Sequence, residues 1–165
     1  MAEFFPIYGW AAIYDEADLN GDIVMRGAFR QSLAKNGAGA VKLLYQHTAE
    51  TPIGRWLKFE ERGRGLYAEG ELLLATQTAR EVAALIDANI IDGLSIGFRT
   101  RKSRRQGAAR LIMQADLWEV SVVTFPMAPK ARLVSAPSVA GTNTETDNVL
   151  AFADHVRRAA KILSA

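Results

Sequence analysis

The segment Gly93–Gly97, Gly-Leu-Ser-Ile-Gly, is where a reactive side chain first stands out in the sequence. It matches the G-x-S-x-G pattern, in which flanking glycines permit a strained turn that exposes the serine hydroxyl. A serine hydroxyl is a weak nucleophile at neutral pH until a neighbouring imidazole accepts its proton. The pattern therefore predicts acyl-transfer chemistry at Ser95, provided that a histidine reaches it.

The surroundings of this motif argue against the hydrolase class that it usually indicates. In an α/β-hydrolase the motif lies between a strand and a following helix, and the catalytic histidine comes after the serine. Here the sequence predicts a helix before Ser95 and a strand after it. The later histidine, His155, lies beyond a segment rich in serine, threonine and proline. The general base is therefore expected elsewhere in the chain.

His47 is the other histidine and the better candidate for that base. It closes the apolar segment 41–47, which predicts a buried strand, and it precedes a turn-forming Pro-Ile-Gly sequence at 52–54. A side chain at a strand end is near the surface yet held by a rigid element, as catalytic groups commonly are. The alternative interpretation is a partly buried histidine that hydrogen-bonds a loop carbonyl.

A third group, usually a carboxylate, must fix the histidine tautomer and stabilise the imidazolium. Glu119 lies in the apolar segment Leu-Trp-Glu-Val-Ser-Val-Val at 117–123. An isolated carboxylate there is costly to bury unless something pairs with it. Glu119 is therefore the candidate, with Asp116 as the rival carboxylate. The alternative is that Glu119 faces outward from an alternating strand.

The composition limits the other kinds of site that the chain can contain. The sequence has 165 residues, 49% of them hydrophobic, a net charge of +2, two histidines and no cysteine. The lack of cysteine excludes disulfides, thiolate zinc sites and a cysteine nucleophile. We therefore expect no metal and no cofactor, and the small net charge does not indicate a nucleic-acid partner. The N-terminal segment resembles neither a signal peptide nor a membrane span, so a reducing cytoplasm is expected.

Hydrophobic periodicity and turn residues predict a mixed β-rich (α+β) fold. Because strands and helices do not alternate regularly, a doubly wound sheet is disfavoured, and an antiparallel barrel or sandwich flanked by helices fits better. Thr76 or Thr78 is the expected N-cap of the second helix. The predicted strands are 4–14, 41–47, a hairpin over 52–74, 93–105, and one or two within 108–127; the predicted helices are 26–35 and 79–90.

The C-terminal part of the sequence differs in composition from the rest. Residues 135–148 are rich in small and polar types and predict a flexible linker, and residues 149–165 predict an amphipathic helix. This divides the chain into a folded domain at 1–134, a linker and a tethered helix. Because small-residue linkers are accessible to proteases, the tail is a candidate for autoprocessing.

A dense basic run follows the serine motif. It is compatible with a solvated hairpin tip, with docking to acidic protein segments, or with phosphate contacts to nucleic acid. No regular aromatic interleaving supports base stacking, which weakens the last alternative. The run consists of Arg99, Arg101, Lys102, Arg104, Arg105 and Arg110.

Three blocks in this order resemble the hallmark segments of the tailed-phage prohead protease family, which is related to the herpesvirus assemblin proteases. The blocks are LLYQHTAETPIGRW, DGLSIGF and DLWEVSVVTFPMAPKA, and the opening GWAAIYDEADLNGDIVMRGAF is also typical of the family. The resemblance covers roughly residues 8–132. The ordered triple of blocks is far more specific than any single block.

The resemblance implies a serine endopeptidase with Ser95 as nucleophile, His47 as base and Glu119 as third member, on an assemblin-like antiparallel β-barrel wrapped by helices. It implies cleavage of scaffold protein, or of a scaffold-like segment of the major capsid protein, inside the assembling prohead in the cytoplasm of the bacterial host. Self-cleavage and homo-oligomer formation are further implications. Two alternatives remain: a non-catalytic capsid-assembly or scaffold-binding module with the same fold, and a small esterase.

Overall fold

The computed structural model describes residues 2–134, which form seven strands and two helices. The predicted linker and C-terminal helix lie outside the described residues. In chain order the elements are β1 (Phe4–Ile13), β2 (Asp22–Val24), α1 (Arg30–Asn36), β3 (Lys42–Tyr45), β4 (Thr48–Arg62), β5 (Gly65–Leu73), α2 (Gln77–Asp87), β6 (Gly93–Gln106) and β7 (Ala109–Val123), with a short 3-10 turn at Ala38–Ala40.

The strand β7 is the centre of a mostly antiparallel sheet. β6 pairs with one edge of β7 along its whole length, antiparallel, while the short strands β2 and β3 pair with the other edge in parallel. From β3 the sheet continues antiparallel through β4, β5 and β1. The β-rich fold with few helices is confirmed.

The predicted antiparallel β-barrel is not confirmed, because the sheet does not close through paired strands. β1 and β6 are the two ends of the paired order, and the segment after β7 lies between them. This segment makes only isolated bridges, from Leu133 to Gly9 and from Arg132 to Gly93. The amide of Trp10 also donates to the carbonyl of Arg132 at 2.9 Å.

Several predicted elements have different boundaries in the structure. The helix predicted at 26–35 begins only at Arg30, because Gly27 adopts a φ of 83° in a preceding turn. The strand predicted at 41–47 ends at Tyr45, and the short strand β2 was not predicted. The hairpin predicted over 52–74 is present as β4 and β5. The segment 108–127 contains one strand, β7.

Side chains of several strands and both helices pack into one hydrophobic core, which anchors the strands carrying the candidate site. Leu94 and Val120, the chain neighbours of Ser95 and Glu119, are fully buried. Burial of a side chain of this size stabilises the fold by about 1.5–3 kcal/mol. The indole N–H of Trp56 on β4 donates to the carbonyl of Val120 at 3.2 Å. The site residues of β6 and β7 are therefore held by a rigid core.

The basic run lies on the outer half of β6 and the start of β7, where residues 101–106 are all exposed. Two of its cations form ion pairs, Arg101 with Asp116 and Arg110 with Asp22. The run is thus a solvent-facing hairpin tip, and any docking or nucleic-acid role stays a prediction. Among residues 2–134, no helix is long and apolar enough to cross a membrane.

Candidate active site

His47 lies in a tight turn rather than at the end of a strand. β3 ends at Tyr45 and β4 begins at Thr48, which leaves Gln46 and His47 as a two-residue connection with φ values of 54° and 59°. Positive φ at both central residues is what a type I′ hairpin turn requires, and it is uncommon for residues other than glycine. The Gln46 side-chain amide donates to the Thr124 hydroxyl at 2.7 Å, which ties this turn to the end of β7.

The imidazole of His47 is paired with the carboxylate of Glu119. Nδ1 of His47 lies 2.6 Å from Oε1 of Glu119, and the two side chains are 43% and 15% exposed. The hydrogen bond that His47 donates to Glu119 raises the pKa of His47 above its ordinary value of 6.5, against the opposing effect of burial. With Nδ1 engaged, Nε2 is the nitrogen left to exchange a proton with another group.

Asp116, the rival carboxylate, is engaged elsewhere. It accepts a hydrogen bond from Nε of Arg101 at 2.6 Å, and this bond lowers the pKa of Asp116. The two carboxylates thus have different partners: Glu119 contacts His47, and Asp116 contacts the basic run.

Sequence reasoning did not identify Ser121, which completes the surroundings of Glu119. Its hydroxyl donates to Oε2 of Glu119 at 2.7 Å and accepts the backbone N–H of His47 at 3.2 Å. Ser121 is fully buried. The available signal was its spacing: residues two apart on a strand lie on the same face, so Glu119 and Ser121 are side by side.

Gly97 provides the space that the Glu119 carboxylate occupies. The two residues are cross-strand partners on β6 and β7. A Cβ atom at Gly97 would lie 2.2 Å from Oε1 of Glu119, far inside contact distance. The second glycine of the G-x-S-x-G motif therefore makes room for a carboxylate.

Ser95 lies within β6, directly across from Ser121 on β7. It is not at a strained elbow, because its backbone belongs to the strand ladder and its φ is not positive. Ser95 is 6% exposed and lines the same cavity as His47. Within residues 2–134 its hydroxyl has no hydrogen-bond partner, so Ser95 and His47 share the cavity without a direct hydrogen bond.

The cavity beside Ser95 measures about 170 Å³ and combines an apolar wall with three carboxylates. The carboxylates are already engaged. Glu16 pairs with Lys130, Asp22 pairs with Arg110, and Asp18 accepts the backbone N–H groups of Asn20 and Asp22. The apolar wall includes Ala11, Ile13, Val24, Leu94, Ile96, Phe98, Met127 and Ala131. Ser95 thus lines a cavity whose carboxylates already have partners and whose remaining wall is mostly apolar.

Three known structures are similar to this chain. The KSHV protease in complex with a hexapeptide phosphonate inhibitor has a TM-score of 0.56 at 11% identity, over 94% of this chain and 77% of that chain. The bacteriophage T4 capsid assembly protease has a TM-score of 0.56 at 14% identity, over 73% and 82%. The varicella-zoster virus protease has 0.52 at 12% identity, over 79% and 63%. At these identities the likeness concerns the fold alone.

The sequence comparisons extend to family membership. The prohead protease of Enterobacteria phage HK97 is 33% identical over 144 residues, which cover 84% of this chain and 63% of that protein. The chain therefore spans less than two thirds of the length of this relative. The model of the family described as caudovirus prohead serine protease matches residues 2–149. The resemblance that the three sequence blocks predicted is thus confirmed, and the chain belongs to the caudovirus prohead serine protease family.

Proposed function

We propose that this protein is a serine endopeptidase of prohead maturation, with Ser95 as nucleophile, His47 as general base and Glu119 as the residue that orients His47. The observation that carries this function is the 2.6 Å contact of His47 with Glu119, together with the cavity that His47 and Ser95 both line. Family membership supports the same activity. The contact also favours Glu119 over Asp116 as the third member.

The chemistry that these groups support is a two-step acyl transfer. Oγ of Ser95 attacks the scissile carbonyl carbon while Nε2 of His47 accepts the hydroxyl proton. The C–N bond then breaks, and His47 returns the proton to the leaving amine, which leaves an acyl ester on Ser95. Water then attacks the ester carbonyl while His47 accepts a proton from it, the C–O bond to Ser95 breaks, and His47 returns the proton to Oγ as the carboxylic acid product leaves. Throughout, Glu119 stabilises the imidazolium through Nδ1.

The proposed substrates are the scaffold protein or a scaffold-like segment of the major capsid protein, cleaved inside the assembling prohead in the host cytoplasm. The HK97 relative, named a prohead protease, supports this substrate class. We include the chain's own tail as a substrate, because residues 135–148 are rich in small and polar residues that suit proteolysis. We also include self-association, as the family resemblance implies.

One observation favours the non-catalytic alternative, a capsid-assembly module with the same fold. Within residues 2–134, Ser95 and His47 are not hydrogen-bonded to each other. In proteins without substrate, catalytic hydrogen bonds are often long and tighten only when substrate binds. The two functions therefore differ in whether Ser95 becomes reactive when a polypeptide is present.

Co-expression with the cognate capsid protein tests the function directly. We expect the wild-type protein to shorten the capsid protein and the Ser95→Ala variant to leave it intact, as seen by mass spectrometry. Ser103→Ala is the matched control, because Ser103 lies on the same strand β6 but at its exposed outer end. Equal processing by wild type and Ser95→Ala would contradict the function.

A second arm of this experiment separates the enzyme from the non-catalytic module and from an esterase. A fluorophosphonate probe is expected to label Ser95, and His47→Ala should abolish this labelling. Activity on capsid protein but not on simple esters excludes the esterase. Ser121 should not be labelled, because it is fully buried and its hydroxyl already donates one hydrogen bond and accepts another. Labelling of Ser121 instead of Ser95 would contradict the assignment of the nucleophile.

A further inference from the structure

The surroundings of Glu119 contain two features that Ser-His-Glu chemistry does not by itself require. One is the buried hydroxyl of Ser121, and the other is the space above Gly97. Both act on the carboxylate that faces His47. We call this pair, Gly97 and Ser121, the carboxylate seat.

The direction of the hydrogen bonds at Ser121 follows from the groups involved. The backbone N–H of His47 can only donate, so the hydroxyl oxygen of Ser121 must accept there. The single hydroxyl hydrogen is then free for Oε2 of Glu119, 2.7 Å away. Ser121 thus contacts both members of the pair, Glu119 through its side chain and His47 through its backbone.

The contact with the His47 backbone matters because of the conformation of the turn. Gln46 and His47 are both held at positive φ, which residues with a Cβ rarely adopt without supporting contacts. The bond from the His47 amide to Ser121 is one such contact, and it fixes the turn against β7. The imidazole therefore leaves the backbone at a position that Ser121 helps to define.

Gly97 fixes the other side of the carboxylate. Since a Cβ atom there would lie 2.2 Å from Oε1, the same oxygen that contacts His47, any larger residue must push the carboxylate away. The displaced atoms are the end of a flexible side chain, so the carboxylate can move without unfolding the strands. Gly97→Ala should therefore disturb the pair more than the fold.

We propose that Ser121 is a positioning residue, which together with the space at Gly97 holds the Glu119 carboxylate in hydrogen-bonding contact with His47. Its effect on turnover rests on the proposed function. Its effect on the geometry of His47 and Glu119 does not, because that contact can be measured without any substrate.

A histidine titration followed by NMR tests this role. The chain has two histidines, His47 and His155, so a His155→Gln variant assigns both sets of imidazole signals. In the wild type, the hydrogen bond that His47 donates to Glu119 raises the pKa of His47. We expect Ser121→Ala and Gly97→Ala each to lower the pKa of His47.

A second buried serine on the neighbouring helix provides the matched control. The hydroxyl of Ser32 accepts the backbone N–H of Leu117 on β7 at 3.1 Å, and Ser32 is 6% exposed. Ser32→Ala therefore removes a similar buried bond to the same strand without touching the site. We expect it to leave the pKa of His47 unchanged. The carboxylates that line the cavity, Glu16, Asp18 and Asp22, are untouched in every variant.

Conservative variants keep the test decisive if Ser121→Ala fails to fold. Ser121→Thr retains a hydroxyl and should keep the raised pKa of His47, whereas Ser121→Cys has a weaker donor and should lower it. An unchanged pKa of His47 in folded Ser121→Ala, Ser121→Cys and Gly97→Ala proteins would overturn the positioning role. It would leave Ser121 with a purely structural contact.

The kinetic consequence is measured on the capsid substrate. Ser121→Ala is expected to lower kcat/KM by about 10- to 100-fold, the factor that corresponds to one hydrogen bond to a charged group. In this variant the acid limb of the pH profile of kcat/KM should move to lower pH, because the pKa of His47 is lowered. Ser32→Ala should change neither quantity. Loss of activity in Ser121→Ala without a shift of the acid limb would contradict the positioning role of the carboxylate seat. Inactivity of the wild type would contradict the proposed function alone.

Discussion

At the scale of single residues, the pairing of His47 with Glu119 has a direct consequence for pH dependence. In its proposed role as general base, His47 can accept the proton of Ser95 only when its imidazole is neutral. Because Glu119 raises the pKa of His47 above 6.5, protonation sets in at a higher pH than for an isolated histidine. Activity is therefore expected to rise with pH through this raised pKa and to fall as the pH drops below it.

The variant Glu119→Gln tests this dependence. Loss of the negative charge should lower the pKa of His47 and move the acid limb of kcat/KM to lower pH. The maximal rate should fall on the order of 10²- to 10⁴-fold, because the imidazolium is no longer stabilised. The control is Asp116→Asn, since Asp116 contacts Arg101 rather than His47. An acid limb that moves in Asp116→Asn and not in Glu119→Gln would reverse the assignment.

At the scale of elements, the N-cap that the sequence predicted for α2 is present in the structure. The hydroxyl of Thr76 accepts the backbone N–H of Ala79 at 3.3 Å, so Thr76 rather than Thr78 is the N-cap. The first amides of a helix have no partner within the helix, and a threonine hydroxyl supplies one. The helix then packs Val82 and Ala83 into the hydrophobic core that also contains Leu94 and Val120.

The matched pair Thr76→Ala and Thr78→Ala tests this cap. We expect Thr76→Ala to lower the free energy of unfolding by about 1 kcal/mol, because the capped amide loses its acceptor. Thr78→Ala should change it by less than about 0.5 kcal/mol. Urea denaturation followed by circular dichroism measures both, and equal effects of the two variants would argue that Thr76 is no cap.

At the scale of the described domain, residues 131–133 join the two ends of the paired sheet. The chain crosses so close to β1 that a Cβ atom at Gly9 would lie 2.3 Å from the carbonyl oxygen of Arg132. The atoms in the way are backbone, which cannot rotate aside. The same segment reaches β6 beside Ser95, where the amide of Leu94 donates to the carbonyl of Ala131 at 2.9 Å.

A methyl group at position 9 should therefore lower the stability of the whole domain. Gly9→Ala is expected to lower the free energy of unfolding by about 1–3 kcal/mol, the usual range for overpacking. Gly39→Ala is the control, because nothing lies within 4 Å of the position that its methyl group would take and its φ is ordinary for any residue. Gly39→Ala should leave stability unchanged or raise it by about 0.4–1 kcal/mol. Equal urea-denaturation midpoints for both variants would contradict the conclusion that the close approach of residues 131–133 to β1 stabilises the domain.

Much of the fold and the candidate site could be predicted from the sequence, because the signals were local or lay in compact blocks. Turn residues and alternation predicted the β4–β5 hairpin, and periodicity predicted α2 with its cap at Thr76 or Thr78. The ordered blocks around His47, Ser95 and Glu119 predicted the family. These signals depend on residue type and short spacing, which the chain carries with or without its fold.

Other features arise only when distant segments meet, and these the tertiary structure decided. His47 and Glu119 are 72 residues apart in the chain, and the parallel pairing of β3 with β7 brings them into contact. That pairing gives Glu119, and not Asp116, the contact with His47. It also brings the hydroxyl of Ser121 into contact with both residues, while the pairing of β6 with β7 leaves Ser95 in a strand rather than at an elbow. Residue types thus determined which chemistry was available, whereas strand register, a property of the folded sheet, determined which groups touch.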